Sequence, residues 1–326
     1  MATTSIKYRP QVAAHRGASG YLPEHTLEAK AFAYALGADY IEQDVVMSSD
    51  GRLVVMHDVI LDTTSDVARK FPERARDDGR YYVCDFTYDE LQTLYLTERF
   101  DHLTGKPVFS GRFPNSPIDY RIPSLEKEFY QLIGLNKSTG RNVKAYVEVK
   151  EPCWFLDQGL DALKATVDLM TAFGFNNMES GVILQIFDYE SIIRARSELG
   201  WTGELAMLIN PTGQNHKDDK DRHAWLQTPE GIKELSQYAT IYAPWISLMA
   251  VPDADGKGYS LSNIADLARE NGMAVHTWTL RKDLLAKGFS SFDEILDVCF
   301  KQLRLDAAFT DFTDTVIDYL KANGLR

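Results

Sequence analysis

The sequence is poor in cysteine, and its acidic residues outnumber its basic ones. The 326 residues include three cysteines, which are far apart and form no CxxC pair. Cysteine-based metal fingers and CxxC redox motifs are therefore excluded, although the cysteines decide nothing about disulfides. The 35 basic and 47 acidic side chains give a formal net charge of −12. This charge argues against nucleic acid or a generic anionic membrane as the partner.

Long apolar runs are also missing. No segment approaches the roughly 20 apolar residues of a transmembrane helix, and residues 1–10 lack the apolar core of a secretion signal. We therefore expect no membrane insertion, and either a cytoplasmic protein or a mature form whose signal has been removed. The sequence contains neither GxGxxG nor HExxH, so it lacks the glycine-rich dinucleotide turn and the helical zinc motif.

What the sequence does have is a regular alternation of strand-like and helix-like segments. Short β-branched runs, such as 146–150 and 181–187, are each followed by apolar residues at helical spacing. About eight such units follow Val12, and eight parallel strands with right-handed crossovers close a barrel. The sequence therefore predicts an α/β fold, a (β/α)8 TIM barrel that forms one domain over residues 1–326. A doubly wound open sheet is the alternative, but it would need a glycine-rich phosphate turn or a clear switch point.

Residues 58–123 interrupt this alternation. Their periodicity is poor, and turn-forming residues recur, as in Phe71-Pro72, Asp78-Gly79 and Gly105-Lys106-Pro107. A structureless loop of this length is unusual inside a compact domain, so we interpret the segment as an insertion subdomain whose aromatic residues supply a small core.

The stretch 41–58, which leads into the insertion, is predicted to be a hairpin formed by strand 2 of the barrel. Two β-branched runs flank Asp50-Gly51, a dipeptide that tolerates positive φ at both centres of a two-residue turn. With that turn, His57 lies opposite Asp44, and Glu42 lies one alternation further along the same face. An ordinary half-buried hairpin with polar residues toward water is the alternative. Burial of these carboxylates among apolar neighbours would require a compensating cation or donor.

Three carboxylates are expected to meet at the C-terminal end of the barrel, where reactive groups lie in this fold. Glu42 and Asp44 share one face of strand 2, and Glu148 ends the next barrel strand in a corresponding inward register. Oxygen-only sites suit hard cations, so we predict one divalent cation, Ca²⁺ or Mg²⁺. Without a cation, neighbouring carboxylates would repel one another and one would become protonated.

Basic, imidazole and aromatic side chains end other predicted strands near these carboxylates. Arg16 and Lys150 add the fixed positive charge that is typical of phosphate sites. His15 and His57 form an acid–base pair able to act near neutral pH. Further substrate contacts are predicted for three strand-end residues, Gln185, Phe187 and Trp278, the last two as an apolar wall.

Two alternatives accompany this prediction. Taken singly, each charged residue could belong to a structural salt-bridge network. The charged run at 216–223 could be a metal clip, but such runs are usually solvated loops, and we interpret it as one.

Several motifs together resemble the glycerophosphodiester phosphodiesterase family. They are His15-Arg16-Gly17, Pro23-Glu24-His25-Thr26, Glu42-Gln43-Asp44-Val45, Asp50-Gly51, His57-Asp58, Glu148-Val149-Lys150 and Phe309-Thr310-Asp311-Phe312. Gly79-Arg80-Tyr81-Tyr82 and Gly111-Arg112-Phe113-Pro114 of the insertion are similar to the bacterial periplasmic GlpQ type. Two departures are visible. His25 stands where the family often has asparagine, and Thr63 stands where relatives commonly carry an arginine after Leu-Asp.

The resemblance implies the same barrel, a cation on the three carboxylates, catalysis by the two histidines, and phosphate binding by Arg16 and Lys150. It implies a glycerophosphodiester as small-molecule substrate, cleaved to sn-glycerol 3-phosphate and an alcohol such as choline or ethanolamine. The family's nucleophile is the C2 hydroxyl of the substrate itself, which gives a cyclic phosphate that water opens. The resemblance favours the periplasm over the cytoplasm, and the prediction allows for a homodimer. A non-catalytic phosphodiester-binding protein and a lyase that stops at the cyclic phosphate are the alternative functions.

Overall fold

The computed structural model describes residues 8–114, 118–211 and 220–326, and its centre is a closed barrel of eight parallel strands. The barrel closes because its first strand pairs with both the second and the last. The described residues form eleven strands: one makes a hairpin with the second barrel strand, two pair with each other, and the other eight build the barrel. The predicted TIM barrel is confirmed. In chain order the strands are β1 (Gln11–Ala14), β2 (Tyr40–Met47), β3 (Leu53–Val55), β4 (Lys144–Val149), β5 (Ile183–Ile186), β6 (Glu204–Ile209), β7 (Ile241–Pro244), β8 (Ala250–Pro252), β9 (Tyr259–Leu261), β10 (Ala274–Leu280) and β11 (Ala307–Thr310).

At least one helix follows each barrel strand before the next one begins. Side-chain caps define several starts: the Thr26 hydroxyl accepts from the Ala29 amide, and the predicted cap Ser124 accepts from the Lys127 amide. Among the described residues, none of the helices has the length and apolar character needed to cross a membrane. The helices are α1 (Leu27–Leu36), α2 (Val67–Lys70), α3 (Tyr88–Leu91), α4 (Leu125–Thr139), α5 (Pro152–Asp157), α6 (Ala162–Ala172), α7 (Tyr189–Ser197), α8 (Lys220–Trp225), α9 (Pro229–Leu235), α10 (Ile246–Met249), α11 (Ile264–Glu270), α12 (Phe292–Asp297), which continues as a π-helix (Val298–Gln302), and α13 (Thr313–Ala322).

Buried apolar side chains form two layers. The larger layer lies between the strands and the helices, and the smaller one fills the barrel interior with residues such as Tyr40, Tyr146 and Phe309. His276 belongs to the interior, where its Nδ1 lies 3.0 Å from the Tyr146 hydroxyl. The filled interior closes the barrel at one end, so polar groups gather at the C-terminal ends of the strands.

The hairpin after β2 exists, but its predicted register is wrong by one residue. Val45 pairs with Val55 and Met47 with Leu53, and the Met56 amide, rather than that of His57, bonds to the Asp44 carbonyl at 3.0 Å. The loop contains three residues instead of two, with Gly51 in the left-handed region at φ +78°. Three-residue loops with a left-handed last residue are the next most common hairpin type, and Asp-Gly alone does not separate the two types.

The insertion at 58–123 contains short helices and loops, including α2, α3 and the 3-10 turns Pro72–Arg74 and Val83–Asp85. Its fully buried side chains, among them Val83 and Phe86, join the same apolar layer as the barrel helices. The insertion therefore packs directly on the barrel. Of the charged run interpreted as a solvated loop, residues 216–219 lie outside the described residues.

Candidate active site

The strand register brings the three predicted carboxylates together. Glu42 and Asp44 are two residues apart on β2, and Asp44 pairs laterally with Glu148 on β4. Each of these three side chains offers an oxygen within 4.8 Å of the others, and all three are buried. Two-residue alternation on one strand and the parallel register of the next are enough to build this cluster.

Burial makes this cluster electrostatically costly. It raises the pKa of Glu42 well above its usual value, and the charges of Asp44 and Glu148 raise it further. Burial also raises the pKa of Glu148 to about 8, although Lys150 opposes the shift. Burial acts on Asp44 in the same direction, but there Lys150 and His25 outweigh it and hold the pKa well below the usual value. Carboxylates crowded in this way cannot all ionise unless further positive charge is present.

The donor set fits a hard divalent cation. Asp44 Oδ1 is buried and has no hydrogen-bond partner, so one ligand-type oxygen remains available inside the cluster. Three carboxylate oxygens without nitrogen or sulfur suit Ca²⁺ and Mg²⁺ alike. The residues present therefore satisfy the chemistry that the sequence predicted for them.

His15 follows the end of β1 and is held from one side only. Its Nδ1 lies 2.6 Å from Asp311 Oδ1, and its Nε2 lies 3.9 Å from Glu42 Oε2. Burial lowers the pKa of His15 to about 4, and Arg16 lowers it in the same direction. Although burial opposes ionisation of Asp311, Arg281 and His15 hold its pKa well below the usual value. The ionised carboxylate thus accepts from Nδ1 and leaves Nε2 facing the carboxylate cluster.

The backbone after His15 is turned back toward β2. Arg16 has φ +57°, and its amide donates to Glu42 Oε2 at 2.7 Å. Gly17 follows at φ +88°, where a Cβ atom would lie 2.9 Å from the Ala29 carbonyl carbon. Only glycine fits this close approach to α1 without strain, which explains the third residue of the His15-Arg16-Gly17 motif.

His57 lies just after β3, and its imidazole contacts a carboxylate in the same way as that of His15. Its Nδ1 lies 2.5 Å from Asp58 Oδ1. Asp58 Oδ2 accepts in turn from Arg99 at 2.5 Å and from the Thr63 hydroxyl at 2.8 Å. Burial, Arg16 and Lys150 lower the pKa of His57 to about 4. Both histidines therefore have Nδ1 engaged by a carboxylate, and within the described residues neither Nε2 makes a hydrogen bond.

A cleft of about 580 Å³ opens above these groups. Nine of the ten predicted site residues line it, and the tenth, Asp44, belongs to the carboxylate cluster that also contains the lining residues Glu42 and Glu148. The cleft is lined by His15, Arg16, Glu42, His57, Glu148, Lys150, Gln185, Phe187, Leu208, Trp245, Trp278, Thr279, Arg281 and Phe309.

The polar lining residues contact the carboxylates, whereas the aromatic lining residues pack against one another. Lys150 Nζ lies 2.5 Å from Glu148 Oε1. Gln185 Nε2 donates to Glu42 Oε1 at 3.1 Å, so this side chain orients a carboxylate. Phe187 and Trp278 meet edge to face at 5.3 Å, and Trp245 stacks on Trp278 at 6.5 Å, which extends the predicted apolar wall by one ring.

Comparison with known proteins shows the family of the chain. The model of the glycerophosphoryl diester phosphodiesterase family matches residues 15–315, a range that contains the predicted site residues. The chain belongs to this family. It is accordingly an enzyme, a glycerophosphodiester phosphodiesterase.

Curated relatives cover almost the whole enzyme. The glycerophosphodiester phosphodiesterase of Haemophilus influenzae is 38% identical and covers 98% of this chain and 92% of its own. That of Treponema pallidum is 33% identical, with 95% and 91% covered. A solved phosphodiesterase from Oleispira antarctica, in complex with the product sn-glycerol 3-phosphate, has a TM-score of 0.64 at 19% identity and covers 96% of this chain and 98% of its own. At that identity the structure shows the shared fold.

Several residues of the site carried no predicted role. His25 Nε2 lies 2.7 Å from Asp44 Oδ2, yet in the sequence His25 is marked only by its departure from the family motif. Asp311 could be located as a strand-end residue, but its bond to His15 joins positions 296 apart. Arg99 comes from the insertion and lies beside Thr63 at Asp58, near the point where relatives commonly carry an arginine. The poor periodicity of the insertion gives no signal for it.

Proposed function

We propose that the enzyme hydrolyses glycerophosphodiesters such as glycerophosphocholine and glycerophosphoethanolamine to sn-glycerol 3-phosphate and an alcohol, with a divalent cation and with His15 and His57 as acid and base. The observation that carries this proposal is the pair of imidazoles at one cleft, each with Nδ1 against a carboxylate, together with a cluster of three buried acidic side chains.

Substrate binding draws on the charged and the apolar parts of the cleft. The guanidinium of Arg16 can grip two phosphate oxygens and Lys150 adds a point charge. Arg16 Nε is buried without a hydrogen bond and lies 3.4 Å from Asp44 Oδ2, so the guanidinium stands beside the candidate cation site, where a phosphate would bind. Phe187, Trp278 and Trp245 offer the apolar face against which the carbon atoms of the substrate pack.

The three carboxylates would hold the cation, which supplies Lewis-acid stabilisation of the phosphate charge. One histidine takes the proton of the substrate's C2 hydroxyl while that oxygen bonds to phosphorus. The other histidine protonates the leaving alcohol as its P–O bond breaks. In the second half the roles reverse. The second histidine takes a proton from water as the water oxygen bonds to phosphorus. The P–O bond to the C2 oxygen breaks, and the first histidine returns its proton to that oxygen.

Burial of both imidazoles suits this exchange. It favours the neutral form that a base requires, while the bonded carboxylate favours the protonated form that an acid requires. Each Asp–His pair can therefore hold a proton or release it without leaving its position.

Substitution of the two histidines tests the proposal. His15→Ala and His57→Ala should keep the circular dichroism spectrum and the melting temperature within a few degrees, and each should abolish hydrolysis of glycerophosphocholine. Full activity in either variant would contradict the acid–base assignment.

Removal of the metal distinguishes a metal-dependent enzyme from a non-catalytic phosphodiester-binding protein. EDTA should abolish turnover, and excess Ca²⁺ or Mg²⁺ should restore it, whereas a non-catalytic protein would bind a phosphodiester without turnover under any metal. Phosphorus NMR of the products distinguishes a hydrolase, which yields sn-glycerol 3-phosphate, from a lyase, which accumulates the cyclic phosphate.

We also propose a periplasmic location. The support is the similarity of the insertion segments around Arg80 and Arg112 to the periplasmic branch of the family. Antibody detection in osmotic-shock fluid of the native cells should find the protein there, and its retention in spheroplasts would overturn this proposal.

A further inference from the structure

We propose that two arginines of the insertion, Arg99 and Arg112, are positioning residues for the two histidines, each acting through the carboxylate that the histidine contacts. The inference rests on the proposed acid–base roles of His15 and His57. It assigns to the insertion a direct part in the catalytic geometry.

The first contact chain runs from Arg99 to His57. Asp58 divides its two oxygens: Oδ1 lies 2.5 Å from His57 Nδ1, and Oδ2 lies 2.5 Å from Arg99 Nη1. Arg99 is itself fixed by Glu24, whose Oε1 accepts from Nη2 at 2.6 Å. The Arg99 side chain is 17% exposed, so water does little to weaken these contacts.

The second contact chain repeats this pattern between Arg112 and His15. Asp311 Oδ1 lies 2.6 Å from His15 Nδ1, and Asp311 Oδ2 accepts from Arg112 Nη2 at 2.6 Å. The same oxygen also accepts from Arg281 Nε at 2.6 Å, so Asp311 is held by one arginine of the insertion and one of the barrel. A second carboxylate again anchors the arginine, since Asp283 accepts from Nε at 2.8 Å and from Nη2 at 3.1 Å. The Arg112 side chain is 5% exposed.

The shared pattern has a physical consequence. A carboxylate that uses one oxygen for an imidazole can still rotate about its terminal torsion, which is broad for aspartate. A planar guanidinium on the other oxygen removes that freedom and keeps the carboxylate ionised. The imidazole plane, and with it the direction of Nε2, is then fixed by a residue that does not touch the substrate. Outer partners of this kind typically account for roughly 10–100-fold in activity at metal sites.

The two arginines differ in one respect that sharpens the test. Glu24, which anchors Arg99, also accepts from Arg16 Nη1 at 2.9 Å, and Arg16 is a proposed phosphate ligand. Loss of Arg99 should therefore disturb substrate binding as well as His57. Arg112 has no such link to Arg16 among the contacts of the described residues, so its loss should affect His15 and leave phosphate binding intact.

Steady-state kinetics of Arg99→Ala, Arg112→Ala and the control Arg80→Ala in the full chain tests the inference. Arg80 is an insertion arginine that binds Asp62 bidentately at 2.7 and 2.9 Å and contacts neither Asp58 nor Asp311. We expect Arg112→Ala to lower kcat about 10-fold, with KM within about twofold of the parent. This is the lower end of that range, because Arg281 still contacts Asp311 in the variant. Arg99→Ala should lower kcat similarly and also raise KM. Arg80→Ala should keep kcat within about threefold, whatever it does to the melting temperature.

Two further measurements separate positioning from damage to the fold. Guanidinium ion added to Arg112→Ala should recover part of kcat, which a purely structural lesion would not allow. In an Asp311→Ala background, Arg112→Ala should cause no further loss, because the carboxylate that links it to His15 is gone.

The outcomes distinguish this inference from the proposed function. Inactive His15→Ala and His57→Ala variants together with Arg99→Ala and Arg112→Ala variants that behave like Arg80→Ala would overturn the positioning role alone. Active histidine variants would overturn the proposed acid–base chemistry itself.

Discussion

His25 Nε2 lies 2.7 Å from Asp44 Oδ2, and His25 Nδ1 lies 3.1 Å from Lys30 Nζ. Lys30, on α1, also lies 3.4 Å from Glu128 of α4. A buried polar chain thus connects the outer helices to one carboxylate of the candidate cation site. His25 contacts Oδ2 of Asp44, whereas Oδ1 of Asp44 is buried without a hydrogen-bond partner. Carboxylate–histidine contacts of this kind orient metal ligands in other sites.

Replacement of His25 by leucine should weaken cation binding. The substitution removes the donor to Asp44, so the carboxylate is free to rotate, and we expect the affinity for Ca²⁺ or Mg²⁺ to fall roughly 10–100-fold. Isothermal titration of the EDTA-treated protein measures this directly. His102→Leu, at an exposed histidine of the insertion, is the control. Equal affinities in the two variants would show that His25 does not orient the ligand.

Glu42→Gln should have opposite effects on the metal-free and the metal-bound protein. The substitution removes one of three buried, mutually repelling carboxylates, so the metal-free variant should melt a few degrees higher than the parent. It also removes a ligand, so added Ca²⁺ or Mg²⁺ should no longer raise the melting temperature. Differential scanning fluorimetry with and without metal tests both halves. A parent protein that gains no stability from either cation would contradict the site.

Trp245→Ala should weaken substrate binding more than chemistry. The ring stacks on Trp278 at the edge of the cleft and is 36% exposed, so it can cover a bound substrate without touching the histidines. An aromatic contact of about 1 kcal/mol corresponds to roughly a fivefold rise in KM, with kcat nearly unchanged. Tyr130→Ala, which removes an exposed ring on α4, should leave both constants at parental values. A loss confined to kcat would mean that Trp245 acts on the reaction step.

Gly17→Ala should destabilise the enzyme more than Gly51→Ala. Both glycines have positive φ, but an added Cβ at Gly51 meets nothing within 4 Å, whereas at Gly17 it meets the Ala29 backbone at 2.9 Å. Gly51→Ala should therefore cost about 1 kcal/mol, the conformational penalty alone. Gly17→Ala should cost more and also lower activity, because it displaces His15 and Arg16. Urea unfolding and turnover of both variants provide the comparison, and equal stabilities would contradict the close packing.

Glu98 should make the folded enzyme less stable as the pH rises. Burial raises its pKa from 4.5 to about 8, and Glu24 adds to the shift. Between these two values the folded protein keeps a proton that the unfolded chain has released, so this contribution to stability is complete below about pH 4.5 and is lost as the pH rises through 8. Glu98→Gln should flatten the decline in unfolding free energy between pH 5 and pH 9. An unchanged slope in urea titrations would exclude Glu98 as its source.

The carboxylate cluster could be predicted because alternation on β2 and the lateral register of parallel strands follow from regular geometry. No knowledge of loop structure was needed to predict that Glu42, Asp44 and Glu148 meet. The hairpin register failed because a two-residue and a three-residue loop both accommodate Asp50-Gly51, and one inserted residue shifts every cross-strand partner. His57 still reaches the cleft because it lies beyond the ladder, where the register no longer governs its direction.

The partners of the histidines could not be predicted for a different reason. The location of Asp311 at the end of a strand could be predicted from the sequence. Its contact with His15 could not, because that contact depends on closure of the barrel. Arg99 and Arg112 lie in loops without periodicity, and their reach depends on how the whole insertion packs. Long, flexible side chains on irregular backbone leave no regular pattern in a sequence.

The hydrogen bond between His15 and Asp311 joins groups 296 positions apart, one after the first barrel strand and the other after the last. β1 and β11 are the neighbours that complete the ring of strands. A chain that has formed only its first seven β/α units cannot yet contain this pair. Long-range contacts of this kind form late when the intervening chain must be ordered first. Turnover should therefore recover during refolding only when β1 and β11 have paired. The delay between the recovery of helical circular dichroism and the recovery of turnover would measure how late the ring of strands closes.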